Sequence, residues 1–310
     1  MPGIGRQARP SSSGSQNQGR LQQAALDILA GADVQFKREN RLDIALVKNL
    51  NAALIFLRAG DIPTFVGDGR VDIGITGRDE IAEHDSHLKP GEESHVEELL
   101  ELGFGGCKLQ IQVPANGELK EPKQLIGKNI VTTFTGLTGD YFAKLEGKTT
   151  KNAIGQWELD TNIKFVAGSV EAACALGVAD AVVDLVESGE TMKAAGLIDI
   201  DTVLTSTAVL VKSRNSKHPL LNLMTSRIHG VITAKKYILC QYNIPRSLLP
   251  KACAITPGKR APTVTTLEED GWVAVSSMVE KKAIATVMDE LTATGATDIL
   301  VLPIINTRTM

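Results

Sequence analysis

The stretch Asp184-Leu185-Val186-Glu187-Ser188-Gly189-Glu190-Thr191 joins an acid to a short polar turn, the residue types of an anion site. Strand-forming Ala181, Val182 and Val183 precede it, and Met192, Ala194, Ala195 and Leu197 fit a short helix after it. A strand, a glycine turn and a helix start leave the N–H groups of the first helical turn unpaired. They point along the helix dipole, where negative charge is favoured, so a phosphate fits there. Capping by Ser188 or Thr191 explains the same pattern without a ligand. VDIGITG (Val71–Gly77), a strand ending in glycine ahead of a helical Arg78–His84, is a second such place. It reads either as a close backbone approach to a ligand or as a tight strand-to-helix turn. The turns at Thr135–Gly139 and Gly168–Glu171 hold equivalent positions.

These turns need a scaffold, and 310 residues with 43% hydrophobic content can build two or three domains. A net charge of −3 gives no global reason for nucleic acid as partner, and no apolar run is long enough to span a membrane. Cys107, Cys174, Cys240 and Cys253 have no metal-ligand spacing, which predicts reduced thiols in a cytoplasmic protein. His84, His87 and His95 lie in a polar, acidic stretch and read as solvated loop residues, so the metal question stays open.

Residues 1–19 carry Arg, Ser, Gly and Gln without acids or apolar periodicity and read as disordered. A helix at Leu21–Ala30 follows, then short apolar segments at Asp43–Val47 and Ala53–Leu57 and a helix start before Pro63. After a polar loop, CKLQIQVP and KNIVTTF are strands, the second leading through TGLTGD into a helical Tyr141–Leu145. The segment from Ile163 repeats the strand-turn-helix rhythm, so the fold is α/β with a mostly parallel sheet and ligands beyond its carboxyl ends. Past the polar break at Lys212–His218 the order becomes βαββαβ, the ferredoxin-like arrangement, in a tail without Gly-rich turns or paired acids. Such a tail suits regulation or assembly.

Three segments together resemble one family: Glu171–Met192, DIPTFVGDGRVDIGITGRDE (Asp61–Glu80) and FGGCKLQ (Phe104–Gln110). The sequence resembles the ATP phosphoribosyltransferases of histidine biosynthesis, in the long, fungal-like form. PGKRAPTV (Pro257–Val264), WVAVSSMV (Trp272–Val279) and DELTATGATDILVLPI (Asp289–Ile304) add to the likeness. The resemblance implies a two-lobed catalytic half of the periplasmic-binding-protein type, with a C-terminal ferredoxin-like regulatory domain. It implies a glycosyltransferase that joins ATP to phosphoribosyl pyrophosphate with magnesium and is inhibited by histidine in a homohexamer. Lobe I would take 20–104 and 195–214, lobe II 105–194, and the regulatory domain 217–310.

By the same resemblance Ser188, Gly189, Glu190 and Thr191 would hold the 5-phosphate of the sugar, with Asp184 on its hydroxyls and Ser169 and Glu171 nearby. Glu187 and Glu190 would point to solvent, away from the phosphate. Arg20, Lys108 and Asp184 would be catalytic. Arg20 and Arg41 would meet the nucleotide alongside Gly74, Thr76, Gly77 and Asp79. Arg20, Lys108 and Arg41 also read as ordinary surface charges. Ser276 and Ser277 are the candidates for a histidine pocket, or simply outward strand positions.

Two departures stand out. Family members open with a buried apolar strand and a basic turn, where this chain has SSSGSQNQ before Gly19-Arg20-Leu21, so a core strand is expected to be missing. LRAGDIP carries Arg58 and Gly60 where a small apolar residue and alanine are expected. A catalytically silent regulatory copy and a two-lobed ligand-binding module are therefore the competing readings. The Asp184–Thr191 loop counts against a plain sensor of amino acids. Leu185 after Asp184 counts against a transferase for free bases, which would carry two adjacent acids.

Overall fold

The computed structural model describes residues 3–7, 16–37, 43–152, 155–168 and 170–308, with side chains from Leu21 onward. Along the chain run β1 (Gly3–Gln7), α1 (Gln16–Gly31), β2 (Ile44–Leu46), β3 (Ala53–Leu57), α2 (Asp61–Gly67), β4 (Ile73–Gly77), α3 (Arg78–Ser86) and β5 (Val96–Glu101). Next come β6 (Cys107–Pro114), β7 (Asn129–Thr132), α4 (Thr135–Leu145), β8 (Asn162–Phe165), α5 (Ala172–Ala175), β9 (Ala181–Val186), α6 (Glu190–Ala194), β10 (Leu197–Ser206) and β11 (Ala208–Ser213). The remainder is α7 (Leu220–Lys236), β12 (Tyr237–Pro245), α8 (Leu249–Ile255), β13 (Thr263–Thr266), β14 (Trp272–Glu280), α9 (Ile284–Thr294) and β15 (Thr297–Pro303).

One compact unit takes the chain up to Asp27 and from Val34 to Leu221. It holds a six-stranded sheet in the order β2-β3-β1-β4-β11-β5 and a five-stranded sheet in the order β10-β6-β9-β7-β8. Both sheets are mixed, not mostly parallel, because the chain crosses from the first to the second and returns. β6 and β10 run antiparallel in the second sheet, and β11 lies antiparallel to β4 and β5 in the first. The return falls between Ser206 and Ala208, so Leu197–Ser206 belongs to the second lobe, against the expectation that 195–214 lies in the first.

The N-terminus holds the core strand that the sequence leaves missing. Gly3–Gln7 fills the slot between β3 and β4, parallel to both, with Gly3 opposite Ala53, Gln7 opposite Leu57 and Gly5 opposite Gly74. A central slot asks first for backbone N–H and C=O groups on two sides, which glycine-rich chain supplies as well as any other. Side-chain patterning alone therefore missed it. α1 begins at Gln16, inside the segment read as disordered. β5 was missed for a different reason. Its VEELLE sequence carries three acids, and it sits at a sheet edge where charge discourages further pairing.

Three buried clusters fix the sheets of this unit. Ile62 and Val66 of α2 pack on Val71, Val209 and Val211. On one face of the second sheet Leu109, Ile111, Val183 and Phe142 form a core, and on the other Val182 packs with Val170, Ala173 and Met192 under α5 and α6. Alternation along β9 sends Val182 and Val183 to opposite sides.

The second unit consists of Ile28–Asp33 and the chain from Asn222 onward, so the end of α1 joins the domain that the sequence reading began at 217. Its sheet order, β13-β14-β12-β15 with antiparallel neighbours, is ferredoxin-like as expected. Its core is Tyr242, Ile244, Val273, Val275 and Leu291.

Candidate functional site

The loop after β9 keeps the shape its sequence implies. Gly189 sits at φ 76°, the left-handed conformation that favours glycine, as the N-cap of α6. Glu190 N–H donates to Ser188 Oγ at 3.4 Å. Glu187, Ser188, Glu190 and Thr191 are exposed and Met192 is buried, so the turn presents its polar atoms outward while anchored below. Asp184 lies one strand step inside. Its carboxylate accepts the Leu185 N–H at 2.8 Å, and burial, reinforced by nearby Glu171, pushes its pKa up to about 6.

Cα partners across the β6–β9 ladder are Lys108 with Val186 and Gln110 with Asp184, so these four share a face. Lys108 is exposed there, while Gln110 is buried and donates to Asp199 Oδ2 at 3.1 Å and Thr202 Oγ1 at 3.3 Å. Glu171, half-buried, precedes α5 on the covered side of this sheet. Asp184, Glu171, Lys108 and the Ser188–Thr191 turn thus come together in one lobe.

The two crossings between the sheets are bonded to each other. Leu102 N–H donates to the Ala208 carbonyl at 2.9 Å, and Ala208 N–H and Thr207 Oγ1 each donate to the Phe104 carbonyl at 3.0 Å. Beside this hinge a cavity of about 360 Å³ is lined by Leu21, Ala24, Phe104, Gly105, Gly106 and Glu187. Glu187 therefore borders the cavity as well as solvent. Gly105 holds φ 68°, and a Cβ there would meet Leu21 Cδ1 at 2.9 Å, so glycine lets α1 approach the hinge. Of this lining, sequence reasoning singled out only the FGG turn and Glu187.

The glycine-ended strand β4 behaves differently from the expectation of a ligand wall. Thr76 is fully buried and donates to the Ala59 carbonyl at 3.0 Å. A Cβ on Gly74 would come within 2.7 Å of Ile62 Cγ2, so that glycine serves the packing of α2. A Cβ on Gly77 would collide with the Asp79 carboxylate. Asp79 is buried, accepts a hydrogen bond from Ser206 Oγ and donates its own N–H to that oxygen at 2.9 Å. Burial raises its pKa, against the lowering effect of the serine. Glu80, crowded by burial and by Asp79, Glu83 and Asp61, is raised to about 8. Arg78 is occupied by Glu98 at 2.7 Å and Glu101 at 3.3 Å.

The turn at Thr135–Gly139 is the first part of α4 itself, and the amides of Gly136, Leu137 and Thr138 are taken. Gly136 and Leu137 N–H donate to Glu83 at 2.8 and 2.9 Å. His84 and His87, expected in a solvated loop, sit at the end of α3. His84 pairs with Asp85 at 3.1 Å and His87 with Glu83 at 3.0 Å. Arg20 lies in α1 with its side chain outside the described residues, and Arg41 and Ser169 lie outside them altogether. Arg58 is exposed, and a Cβ on Gly60 would stand 3.1 Å from Glu80 Oε2. In the second unit Ser277 is buried and donates to the Thr256 carbonyl at 2.9 Å, whereas Ser276 lies on the opposite face beside Gln241. Alternation on β14 keeps the two serines from lining one pocket.

Among the described residues no three His, Cys, Asp or Glu side chains converge to hold a metal, and the four cysteines are free. Nor is any described helix long and apolar enough to cross a membrane.

A family model described as ATP phosphoribosyltransferase matches residues 58–230, and that family's C-terminal-domain model matches 234–306. The chain is 57% identical to the ATP phosphoribosyltransferase of Yarrowia lipolytica, 55% to that of Schizosaccharomyces pombe and 52% to that of Saccharomyces cerevisiae. Each comparison covers 94% of both chains. Among solved structures, the ATP phosphoribosyltransferase HisG:HisZ complex of Thermotoga maritima matches at a TM-score of 0.55 and 22% identity. It covers 74% of this chain and 99% of that one, a likeness of fold.

Proposed function

The chain belongs to the ATP phosphoribosyltransferase family, and on that premise we propose how its residues divide the reaction. The enzyme condenses ATP with phosphoribosyl pyrophosphate to phosphoribosyl-ATP and pyrophosphate, the first step of histidine biosynthesis. Ser188, Gly189, Glu190 and Thr191 receive the 5-phosphate through hydroxyls and first-turn amides. Asp184 accepts the ribose hydroxyls. Lys108 faces the pyrophosphate, and the hinge cavity beside Phe104–Gly106 takes the nucleotide side, with Arg20 and Arg41 as further cations and Ser169 beside Glu171.

The observation that carries this reading is one sheet face. It brings Asp184 and Lys108 together, with the Ser188–Thr191 turn at its end and Glu187 opening onto the hinge cavity. Placing two polyanions in line supplies most of the rate, so holding and neutralising them matters more than any one proton transfer.

Magnesium fits this site as an ion carried through substrate oxygens. Besides Glu187 and Glu190, which are exposed at the turn itself, Asp184 and Glu171 lie close enough to each other for Glu171 to raise the Asp184 pKa, and a hard cation that keeps its waters needs only one or two carboxylates. When bound it neutralises the leaving pyrophosphate. Gly74, Thr76, Gly77 and Asp79 form the nucleotide side, with the Thr76 hydroxyl and the Asp79 carboxylate holding that wall in place through Ala59 and Ser206. Free histidine acts through the C-terminal domain of a cytoplasmic homohexamer. Inhibition by histidine and the native mass, measured together, test that part.

The direct test of the site is Ser188→Ala with Thr191→Ala. Phosphoribosyl pyrophosphate affinity is expected to fall by about 10- to 100-fold, since hydrogen bonds to a charged group are removed. Unchanged affinity overturns the assignment.

A further inference from the structure

α3 carries at its start the Asp79–Ser206 pair that ties the first sheet to the end of β10 in the second. Four residues on, about 6 Å along the helix, Glu83 makes a second tie. Its Oε1 accepts Gly136 N–H and its Oε2 accepts Leu137 N–H, so one carboxylate caps the first turn of α4, whose own N-cap, Phe134, offers no side-chain bond. The Glu83 side chain is only 14% exposed. Gly136 makes the approach possible, because a Cβ there would collide with Ser86 Oγ and come 3.1 Å from His87 Cε1.

The neighbourhood is braced from both sides. His87 Nε2 lies 3.0 Å from Glu83 Oε1. Lys151 donates to the Ser86 carbonyl at 2.6 Å, pairs with Asp140 of α4 at 3.0 Å and stacks over Trp157, whose Nε1–H donates to Asp140 at 2.6 Å. A single fastening leaves a hinge free to turn, whereas two along one helix oppose rotation.

We propose that Glu83 is a positioning residue for the transferase reaction: by capping α4 across the lobes it holds the nucleotide wall at reacting distance from the sugar-phosphate turn. This rests on the transferase reading. The sugar phosphate is bound by the second lobe alone, so loss of the latch leaves that binding intact and removes the alignment that turnover needs.

The experiment compares wild type with Glu83→Ala and Gly136→Ala, the latter pushing the helices apart with Glu83 still present. Turnover, phosphoribosyl pyrophosphate affinity by calorimetry and amide exchange at residues 136 and 137 are measured for each. Both variants are expected to lose about tenfold or more in kcat/KM. Phosphoribosyl pyrophosphate affinity is expected to stay within about twofold, a split that damage to α4 alone would not give. Amide exchange at 136 and 137 is expected to be slow in wild type and fast in Glu83→Ala. Full turnover in both variants overturns the proposal, and so does a proportional loss of sugar-phosphate affinity. Fast exchange in wild type overturns the latch itself. Slow exchange with no turnover in wild type instead refutes the transferase reading, and the positioning role falls with it.

Discussion

At the scale of single residues, the site places an acid where solvation is poor. Asp184 has an ordinary pKa of 3.8 that burial raises to about 6. The folded state therefore binds its proton more tightly than the unfolded chain does, and this group lowers stability progressively as pH rises from about 4 through 6. Asp184→Asn is expected to melt about 3–6 °C above wild type at pH 7.5 and level with it near pH 4, while losing turnover. Equal melting curves at both pH values would contradict the burial of that carboxylate. This residue and the turn after it were legible in the sequence because acid, glycine and hydroxyls lie within eight consecutive positions. Glu83 was not, since its partners Gly136 and Leu137 are more than 50 residues away and meet it only after both sheets have formed. Asp79 and Thr76 were legible as notable residues, but their direction was not. Strand alternation cannot say whether a buried hydroxyl turns to a ligand or to a neighbouring carbonyl.

At the scale of elements, glycine in β4 reports on packing. Gly74→Ala is expected to destabilise by about 1–3 kcal/mol, since the added methyl meets Ile62 and Val66 in a filled core. Gly60→Ala meets only the end of the Glu80 side chain and has φ −68°, so thermal denaturation is expected to show it near wild type or above. The reverse order would mean that α2 does not lie on β4 as described. Helices and strands with clean periodicity, such as β6, β9, β12 and α9, were visible beforehand. β5 was hidden because edge strands carry charge, and its Glu98 and Glu101 turn out to hold Arg78. α4 reads too short from the sequence because glycines at 136 and 139 suggest a loop; Gly136 is explained by its close approach to Ser86, whereas a Cβ on Gly139 would meet Trp157 at an ordinary 3.4 Å.

At the scale of the whole molecule, fold class and the identity of the C-terminal domain could be read from the order of elements, but strand membership could not. A chain that crosses a hinge twice lends β10 to one sheet and β11 to the other across a single residue, which no local pattern marks. The slot between β3 and β4 is filled by Gly3–Gln7, a strand that burial patterning would reject. Deleting residues 2–7 is expected to broaden and lower the thermal transition, because both neighbours lose their ladder partner. An unchanged transition would show that the strand adds nothing to the sheet. The measurement that decides most is formation of phosphoribosyl-ATP from ATP and phosphoribosyl pyrophosphate with magnesium, with binding of each substrate followed alongside. Product formation that depends on Asp184 and on the Ser188–Thr191 turn is the expected result. Binding of phosphoribosyl pyrophosphate with no product under any condition would contradict it and leave a silent member of the family.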